Sequence, residues 1–582
     1  MMRFYKFNIA TTALLLGFSF TARAQQIPLE GWHLQGPDSM GMNGIALQKA
    51  KNFLQNKKPK PVIVAVIDSG VDTAHEALKP ILWRNPKEIP GNGIDDDGNG
   101  YVDDIYGWNF LGGKDGRNVK KASDERSRVY HRFKEAYKGK TIDTATLNPQ
   151  EKALYFMWKR AESEMTVTTE EQTEISILEV ALKTIKRHNA NIINEWKRDT
   201  FTTKELENFQ PTTSQAKQAK LGYINVMTML GQEPEEKNVN FITMLDEYVD
   251  GKKTSLTAKE KAPSDYRADI IKDNYFDPKD KFYGNNDVMG PNSMHGTHVT
   301  GIIAAQKGLK EGCEGVCSEQ VQVMTLRAVP DGDEWDKDIA LAIKYAVDNG
   351  AKVINMSFGK SYSPEKPWID EAIRYAESKD VLIVHAAGND AKNIDSSYNF
   401  PTPYYTGATP QKASNFITVG ASSTPLATPN RFIADFSNYG AGTVDVMAPG
   451  VKIYSTLPGG NQYGFLKGTS MASPVVAGMA ALIRSYYPQL NAAQVKQAIE
   501  KSVRTINNTD SANLVVKPGS TEVVALNTLC NTGGFVDAAE AIAYADALNN
   551  AQNKTPIKKT TLPKTSTPPP VNTPLKKTNV KS

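Results

Sequence analysis

The sequence predicts an α/β domain built on a doubly wound parallel sheet and interrupted by one large, mostly helical insertion. Two observations predict the sheet. Five short runs, Val62–Ile67, Val321–Val329, Lys352–Ser357, Val381–His385 and Phe416–Val419, are rich in Val and Ile. They are bounded by Gly, Asp and Asn, as strands covered on both faces are. Helical patterns alternate with them: Ile339–Asp348, closed by Asn349-Gly350, then Ile369–Ser378, then Ser473–Tyr487, stopped by Pro488. A third observation predicts the interruption. Between about Gly112 and Gly284 the Val-rich runs vanish and long charged stretches replace them.

In chain order, the first segment reads as an export signal over 1–24. Arg3 and Lys6 precede an apolar stretch from Ile9 to about Phe20, and Ala22-Arg23-Ala24 forms a small-residue cleavage signature before Gln25. No second apolar run approaches the roughly 18 residues a membrane span needs, which excludes a polytopic membrane protein. Residues 25–60 read as a lead-in with Trp32 as its anchor, and 61–547 as the main domain. The insertion occupies 113–283. Within it Ile175, Ile177, Leu178, Ala181, Leu182 and Ile185 fall close to helical spacing. It holds no Cys or His cluster, no phosphate loop and no aromatic cage, so it reads as a structural or partner-binding lobe. The end, 548–582, is Lys, Thr, Pro and Asn with almost no large apolar residue, the composition of a disordered tail.

Charge follows this division. The whole chain of 582 residues carries +4. Setting aside Arg3, Lys6 and Arg23 of the leader and the seven Lys of the tail leaves a body near −6. That balance argues against a nucleic-acid partner. Three cysteines are too few for a disulfide scaffold. Cys313 and Cys317, four apart, either pair or remain two thiols, with Cys530 single.

Parallel sheets gather chemistry at the carboxyl ends of their strands. The first run ends in Asp68, an acid straight after five apolar residues, which needs a hydrogen-bond partner if buried. His295 opens an apparent helix in Met294-His295-Gly296-Thr297-His298, where glycine permits close backbone approach. Ser470 sits on a tight turn in Gly468-Thr469-Ser470-Met471-Ala472-Ser473-Pro474, with Pro474 expected in the first helical turn. Taken singly, Asp68 reads equally as a cap, and Ser470 reads more readily as one. His75 and His298 read as structural.

Together these motifs, in the order Asp68, His295, Ser470, resemble those of the subtilisin-like serine peptidases (subtilases, peptidase family S8). His385-Ala386-Ala387-Gly388-Asn389 resembles the oxyanion-hole segment of that family. The resemblance covers roughly 30–112 and 284–547. It implies a subtilisin-like fold and an exported serine endopeptidase acting on proteins or peptides, located outside the cell, in the periplasm or at the cell surface. Ser470 would be the nucleophile, His295 its base, Asp68 the group that orients the base, and Asn389 an oxyanion donor. Ser357-Phe358-Gly359 and Ala386-Ala387-Gly388 resemble the segments lining the primary substrate pocket. No acid lies within them, which favours an apolar or broad side-chain preference. A non-catalytic peptide-binding protein on the same fold, or a carboxyl peptidase using Glu and Asp, are the rival readings. Family members often carry an inhibitory pro-domain, whereas 25–60 looks like a lead-in. For the insertion three roles are open: gating the cleft, recruiting a partner, or masking the site before processing.

One further cluster is legible from spacing. Residues 93–104 hold five Asp that would repel without a cation. Asp95, Asp97, Asn99 and Gly100 match positions 1, 3, 5 and 6 of a calcium loop, and Asp103 falls at position 9. Position 12 is Tyr106 rather than Glu, so Asp104 is the candidate for the missing carboxylate. The expected structural calcium site is Asp95, Asp97, Asn99, Tyr101, Asp103 and Asp104.

Overall fold

The computed structural model describes residues 29–554, apart from 38–42, 233, 310–311, 408–410, 426, 429–430 and 506–513. The leader and most of the Lys-rich tail lie outside the described residues.

The sheet follows from the apolar runs. Its strands are β1 (Val62–Asp68), β2 (Gly107–Asn109), β3 (Val321–Arg327), β4 (Val353–Met356), β5 (Leu382–Ala386), β6 (Phe416–Ser422) and β7 (Val446–Pro449). They lie in the order β2-β3-β1-β4-β5-β6-β7, and every pairing is parallel. The period of two is visible in β1. Val62, Val64 and Val66 enter one core, while Ala65 and Ile67 enter the other. β2 and β7 were not legible, because one is three residues long and the other ends in Pro449. Two hairpins stand outside the sheet: β8 (Ile453–Leu457) with β9 (Gln462–Leu466), and β10 (Leu514–Val516) with β11 (Val523–Ala525).

The helices begin with α1 (Leu47–Leu54) in the lead-in. The stretch 113–283 contributes α2 (Glu125–Tyr137), α3 (Pro149–Glu164), α4 (Thr169–Trp196), α5 (Thr203–Asn208), α6 (Ser214–Met229), α7 (Asn238–Glu260) and α8 (Tyr266–Ile270). The body adds α9 (Met294–Ala304), α10 (Asp336–Asp348), α11 (Lys366–Ser378), α12 (Thr469–Tyr486), α13 (Ala492–Lys501) and α14 (Ala538–Lys554). α1, α9, α12, α13 and α14 cover one face of the sheet, and α10 and α11 cover the other. The starts of α3, α4 and α5 are written locally. Asn148, Thr168 and Thr202 each form a reciprocal capping box with the glutamate three residues on.

α4, α6 and α7 bury a core of their own, including Ile185, Phe201, Tyr223, Phe241 and Leu245. α2 and α3 pack differently, setting Val129, Tyr130 and Trp158 against Tyr362 of the body.

Two boundaries differ from expectation. α12 begins at Thr469, so Pro474 lies inside the helix and not in its first turn. α14 runs to Lys554, past the expected tail boundary at 548, because Leu548 still packs against the core.

The lead-in is tied to the body by Trp32. Its side chain is 0 % exposed, and its indole N–H lies 3.0 Å from Val451 O and 3.1 Å from Lys452 O. Trp32→Ala removes this packing and the hydrogen bond, with an expected loss of about 3–5 kcal/mol. A urea titration of the variant should show a clearly lowered midpoint. An unchanged midpoint would mean that the lead-in is not part of the cooperative unit.

Candidate active site

Three chain segments converge where β1 and β4 end. β1 delivers Asp68, 2 % exposed, to the carboxyl edge of the sheet. Its Oδ1 accepts from Ser69 N at 2.7 Å and contacts His295 Nδ1 at 2.8 Å. His295 occupies the first turn of α9, and its side chain is 32 % exposed. The close approach depends on glycine. A Cβ on Gly296 would lie 2.2 Å from Gly70 O and 3.2 Å from Asp68 Cβ. α9 is pinned to the chain after β1 by Gly296 N donating to Ser69 Oγ (3.3 Å) and Asp72 N to Thr297 Oγ1 (2.9 Å).

Ser470 is the second residue of α12, which packs against both α9 and β1. Its hydroxyl donates to Ser357 O at 3.0 Å, and Ser357 Oγ donates back to Ser470 O at 2.9 Å. Pro474 explains the second bond. Having no N–H, it cannot bond the carbonyl four residues earlier, which is that of Ser470. Among the described residues no hydrogen bond joins Ser470 to His295.

Asn389 follows the end of β5. Its Oδ1 accepts from Thr469 N (2.8 Å) and Thr469 Oγ1 (3.0 Å), which leaves Nδ2 as a donor with no partner among the described residues. A Cβ on Gly468 would lie 3.5 Å from Asn389 Nδ2 and 3.6 Å from Ser470 N. Asn389 Nδ2 and the Ser470 N–H therefore border one small space beside Gly468. Gly468 has φ 153°, a conformation that side chains rarely adopt.

The expected pocket segments lie next to these groups. Ser357, Ala386 and Ala387 are buried, Phe358 and Gly388 half-buried, and Gly359 exposed. Several of their backbone groups are committed. Phe358 O faces His385 Nε2 at 2.8 Å, and Ala387 O accepts from Asn399 and Asn438. Gly388 N donates to Thr469 Oγ1. Neither the N–H nor the carbonyl of Gly359 pairs with any described residue.

The acidic loop is more selective than its spacing implied. Carboxylate oxygens of Glu88, Asp95 and Asp97 lie within 4.8 Å of one another. Asp95 and Asp97 were expected there, whereas Glu88 lies outside the twelve-residue window and was missed. Asp103 and Asp104 are not brought to this cluster. The Asp103 carboxylate accepts from Gly91, Asn92 and Gly93 N–H groups. Asp104, fully buried, accepts from Asn85 (2.6 Å), Asn99 (3.0 Å) and Tyr345 (2.5 Å), and burial pushes its carboxyl up to about 6. Asn99 is committed to Asp104 and Tyr101 N. The Tyr101 ring packs edge-on to Trp108.

Sequence reading also missed Arg327, the last residue of β3. It is buried, and it donates to Ser69 O (3.0 Å), Asn109 Oδ1 (3.1 Å), Val119 O (2.7 Å) and Asn292 Oδ1 (2.9 Å). It thereby holds the turn after Asp68. A charge closing an apolar run was its signal, the same one that singled out Asp68. Cys313, Cys317 and Cys530 are free thiols, and burial pushes them up to about 12, 12 and 11.

The remaining histidines near the site are buried. His75 Nε2 lies 3.0 Å from Gln462 O, and His298 Nε2 lies 3.1 Å from Gly464 O. Burial pushes His298 down to about 3, and His33 and His385 down to about 4. An unfolded histidine takes its proton near pH 6.5, while these stay neutral in the fold until lower pH. Stability is therefore lost as pH falls from about 6.5 towards 4, by about 1.4 kcal/mol per unit for each group. Urea titrations of a Ser470→Ala background between pH 7 and 4.5 should show this slope. His298→Gln should make it shallower, and parallel slopes would refute the assignment.

A model of the subtilase family (peptidase S8) matches residues 60–518. A thermophilic serine proteinase of Bacillus sp. (strain AK1) is 40 % identical over 238 residues, covering 41 % of this chain and 51 % of the relative. A cell wall-associated protease of Bacillus subtilis (strain 168) is 36 % identical over 228 residues, 39 % of this chain and 23 % of the relative. Subtilisin BL of Lederbergia lenta is 37 % identical over 218 residues, 37 % and 72 % respectively. The match thus spans about half the first relative's length and under a quarter of the second's.

Proposed function

The chain belongs to the subtilase family, and on that premise we propose that it is an exported serine endopeptidase acting on extended peptide segments of proteins. The observation that carries the reading is the 2.8 Å contact between His295 Nδ1 and buried Asp68, beside a serine at the head of a helix. A carboxylate buried there fixes the imidazole tautomer with its proton on Nδ1 and leaves Nε2 as a base. The Ser470 hydroxyl rotates from Ser357 O to His295 Nε2, gives up its proton and attacks the peptide carbonyl. The developing oxyanion lies between Asn389 Nδ2 and the Ser470 N–H, donors already fixed before the reaction. His295 then passes its proton to the leaving amine, and water hydrolyses the acyl-enzyme on Ser470. Gly359 offers an unpaired N–H and carbonyl to an extended substrate by strand addition. The leader 1–24 directs export, and no described helix is long and apolar enough to cross a membrane.

The test is labelling by a fluorophosphonate probe. Mature protein should be labelled, and Ser470→Ala should abolish the label. Absence of Ser470-dependent labelling would leave a peptide-binding protein as the better description.

We propose in addition a calcium site at Glu88, Asp95 and Asp97. The donors are all carboxylate oxygens, the set a hard cation prefers. When bound, the ion would neutralise three like charges and cross-link the loop. A ligand that binds only the folded state at a hundredfold excess over its Kd stabilises by about 2.7 kcal/mol. Chelation should therefore lower the melting temperature of wild type and leave Glu88→Gln nearly unaffected. An unchanged wild-type melt with no bound metal would remove the site.

A further inference from the structure

We propose that Lys360, with Glu125 of the insertion as its counter-charge, is a positioning residue that sets the substrate-pairing backbone at Gly359. The inference rests on the peptidase reading and extends it to the insertion.

The Lys360 side chain is 2 % exposed, yet all three of its N–H donors are used. Nζ lies 2.8 Å from Glu125 Oε2, 2.8 Å from Asp336 Oδ1 and 2.8 Å from Glu334 O. These partners come from three places: the first residue of α2, the first residue of α10, and the loop between β3 and α10. One buried ammonium thus ties the segment leaving β4 to the segment leaving β3, and the insertion supplies one of its two anions. Glu125 is itself fixed, since Arg128 contacts it at 2.5 Å and its N–H donates to Asp333 Oδ2 at 2.7 Å. Arg128 also donates to the carbonyls of Asp333 (3.0 Å) and Glu334 (2.9 Å). Burial of Glu125 is outweighed by Arg128 and Lys360, which hold its carboxyl below the usual range.

The consequence is a short span between two fixed posts. Ser357 is clasped by Ser470 through two hydrogen bonds. Lys360 is clamped by the charges above, and by backbone bonds to Phe400 of 3.1 and 2.8 Å. Only Phe358 and Gly359 lie between, and Phe358 O is already held by His385. The position of Gly359, the one exposed and unpaired backbone unit of the segment, is therefore set by where Lys360 sits. Removing one anion from a buried charge cluster leaves the other partner undercompensated, and the structure moves to relieve it. Displacements of about 1 Å at a substrate-pairing group cost up to about a hundredfold in rate.

The experiment uses full-length Glu125→Gln, an isosteric change, and Asp336→Asn, which removes the body's own anion from Lys360. Three activities are measured against wild type: fluorophosphonate labelling, turnover of a single-residue ester, and cleavage of a tetrapeptide anilide resolved into kcat and KM. In both variants KM for the tetrapeptide should rise about tenfold, while labelling and ester turnover stay within about twofold. An unchanged tetrapeptide KM overturns the proposal. So does a parallel fall of all three, which is what general loss of folded enzyme gives. Failure of wild type to label overturns the peptidase reading instead, and this proposal with it.

Discussion

The site rests on a carbonyl that its own helix cannot satisfy. Pro474 has no N–H to offer Ser470 O, so the buried carbonyl must find a donor outside α12. Ser357 Oγ supplies it, and the Ser470 hydroxyl returns a bond to Ser357 O. A second bond from Ser473 Oγ to Asn355, 2.8 Å, lies on the same side of the helix. The first turn of α12 is thus bolted to the end of β4 by side chains with few rotatable bonds. The Ser470 backbone N–H, the Thr469 groups that bond Asn389, and residues 357–359 are all placed by that junction. A proline in a helix interior normally costs about 3 kcal/mol. Here the disrupted bond is replaced within the same turn, and it becomes the link between helix and sheet.

Charge placement follows the same logic at the outer edge. Besides the apolar contacts of α2 and α3 with Tyr362 and of Ile271 and Tyr283 with the sheet core, the insertion meets the body through buried ions. Lys360 joins Glu125, while Arg267 of α8 joins Asp338 (2.6 Å) and Asp273 (2.7 Å), and Lys337 joins Asp273 (2.7 Å). Paired buried charges add little net stability compared with apolar packing, but mispairing them is costly. They therefore specify one docking geometry for α2 and α8 on α10. The apolar core of α4, α6 and α7 is separate and does not share in that specification.

Legibility in the sequence tracked how local each determinant is. β1, β3, β4, β5 and β6 were visible because both faces are buried, which leaves a continuous apolar run. β2 and β7 were hidden, because three or four residues cannot show a period. Asp68, His295, Ser470 and Asn389 stood in short motifs, since their close approach needs particular neighbours such as Gly296 and Gly468. Glu88 lay just before the twelve-residue window, while Arg327 and Lys360 lay outside any motif because each acts through partners far away in the chain. Arg327 reaches Val119 and Asn292, and Lys360 reaches back 235 positions to Glu125. The acidic loop was legible in part. Its spacing was readable, but spacing cannot tell a carboxylate facing a cation from one capping backbone amides, as Asp103 does.

How the insertion can separate Asp68 from His295 by so many residues has a geometric answer. The chain leaves the body just after β2 and returns beside it. Asn109 N donates to Asn285 O at 2.9 Å, and Asn285 N donates to Asn109 O at 3.1 Å. The Asn109 side-chain amide bonds Asn118 and Asn285 as well, at 2.7 and 2.8 Å. Gly284, at φ 99°, permits the contact, because a Cβ there would lie 2.3 Å from Asn109 O. The two ends of the insertion are thus zipped together on the body, and everything between them is a closed excursion. Closure entropy grows only with the logarithm of loop length, so lengthening such an excursion adds little cost once its ends are paired. The distance between Asp68 and His295 is set by β1, Gly70 and Gly296, none of which senses how long the excursion is. The length of the lobe is therefore decoupled from the spacing of Asp68 and His295.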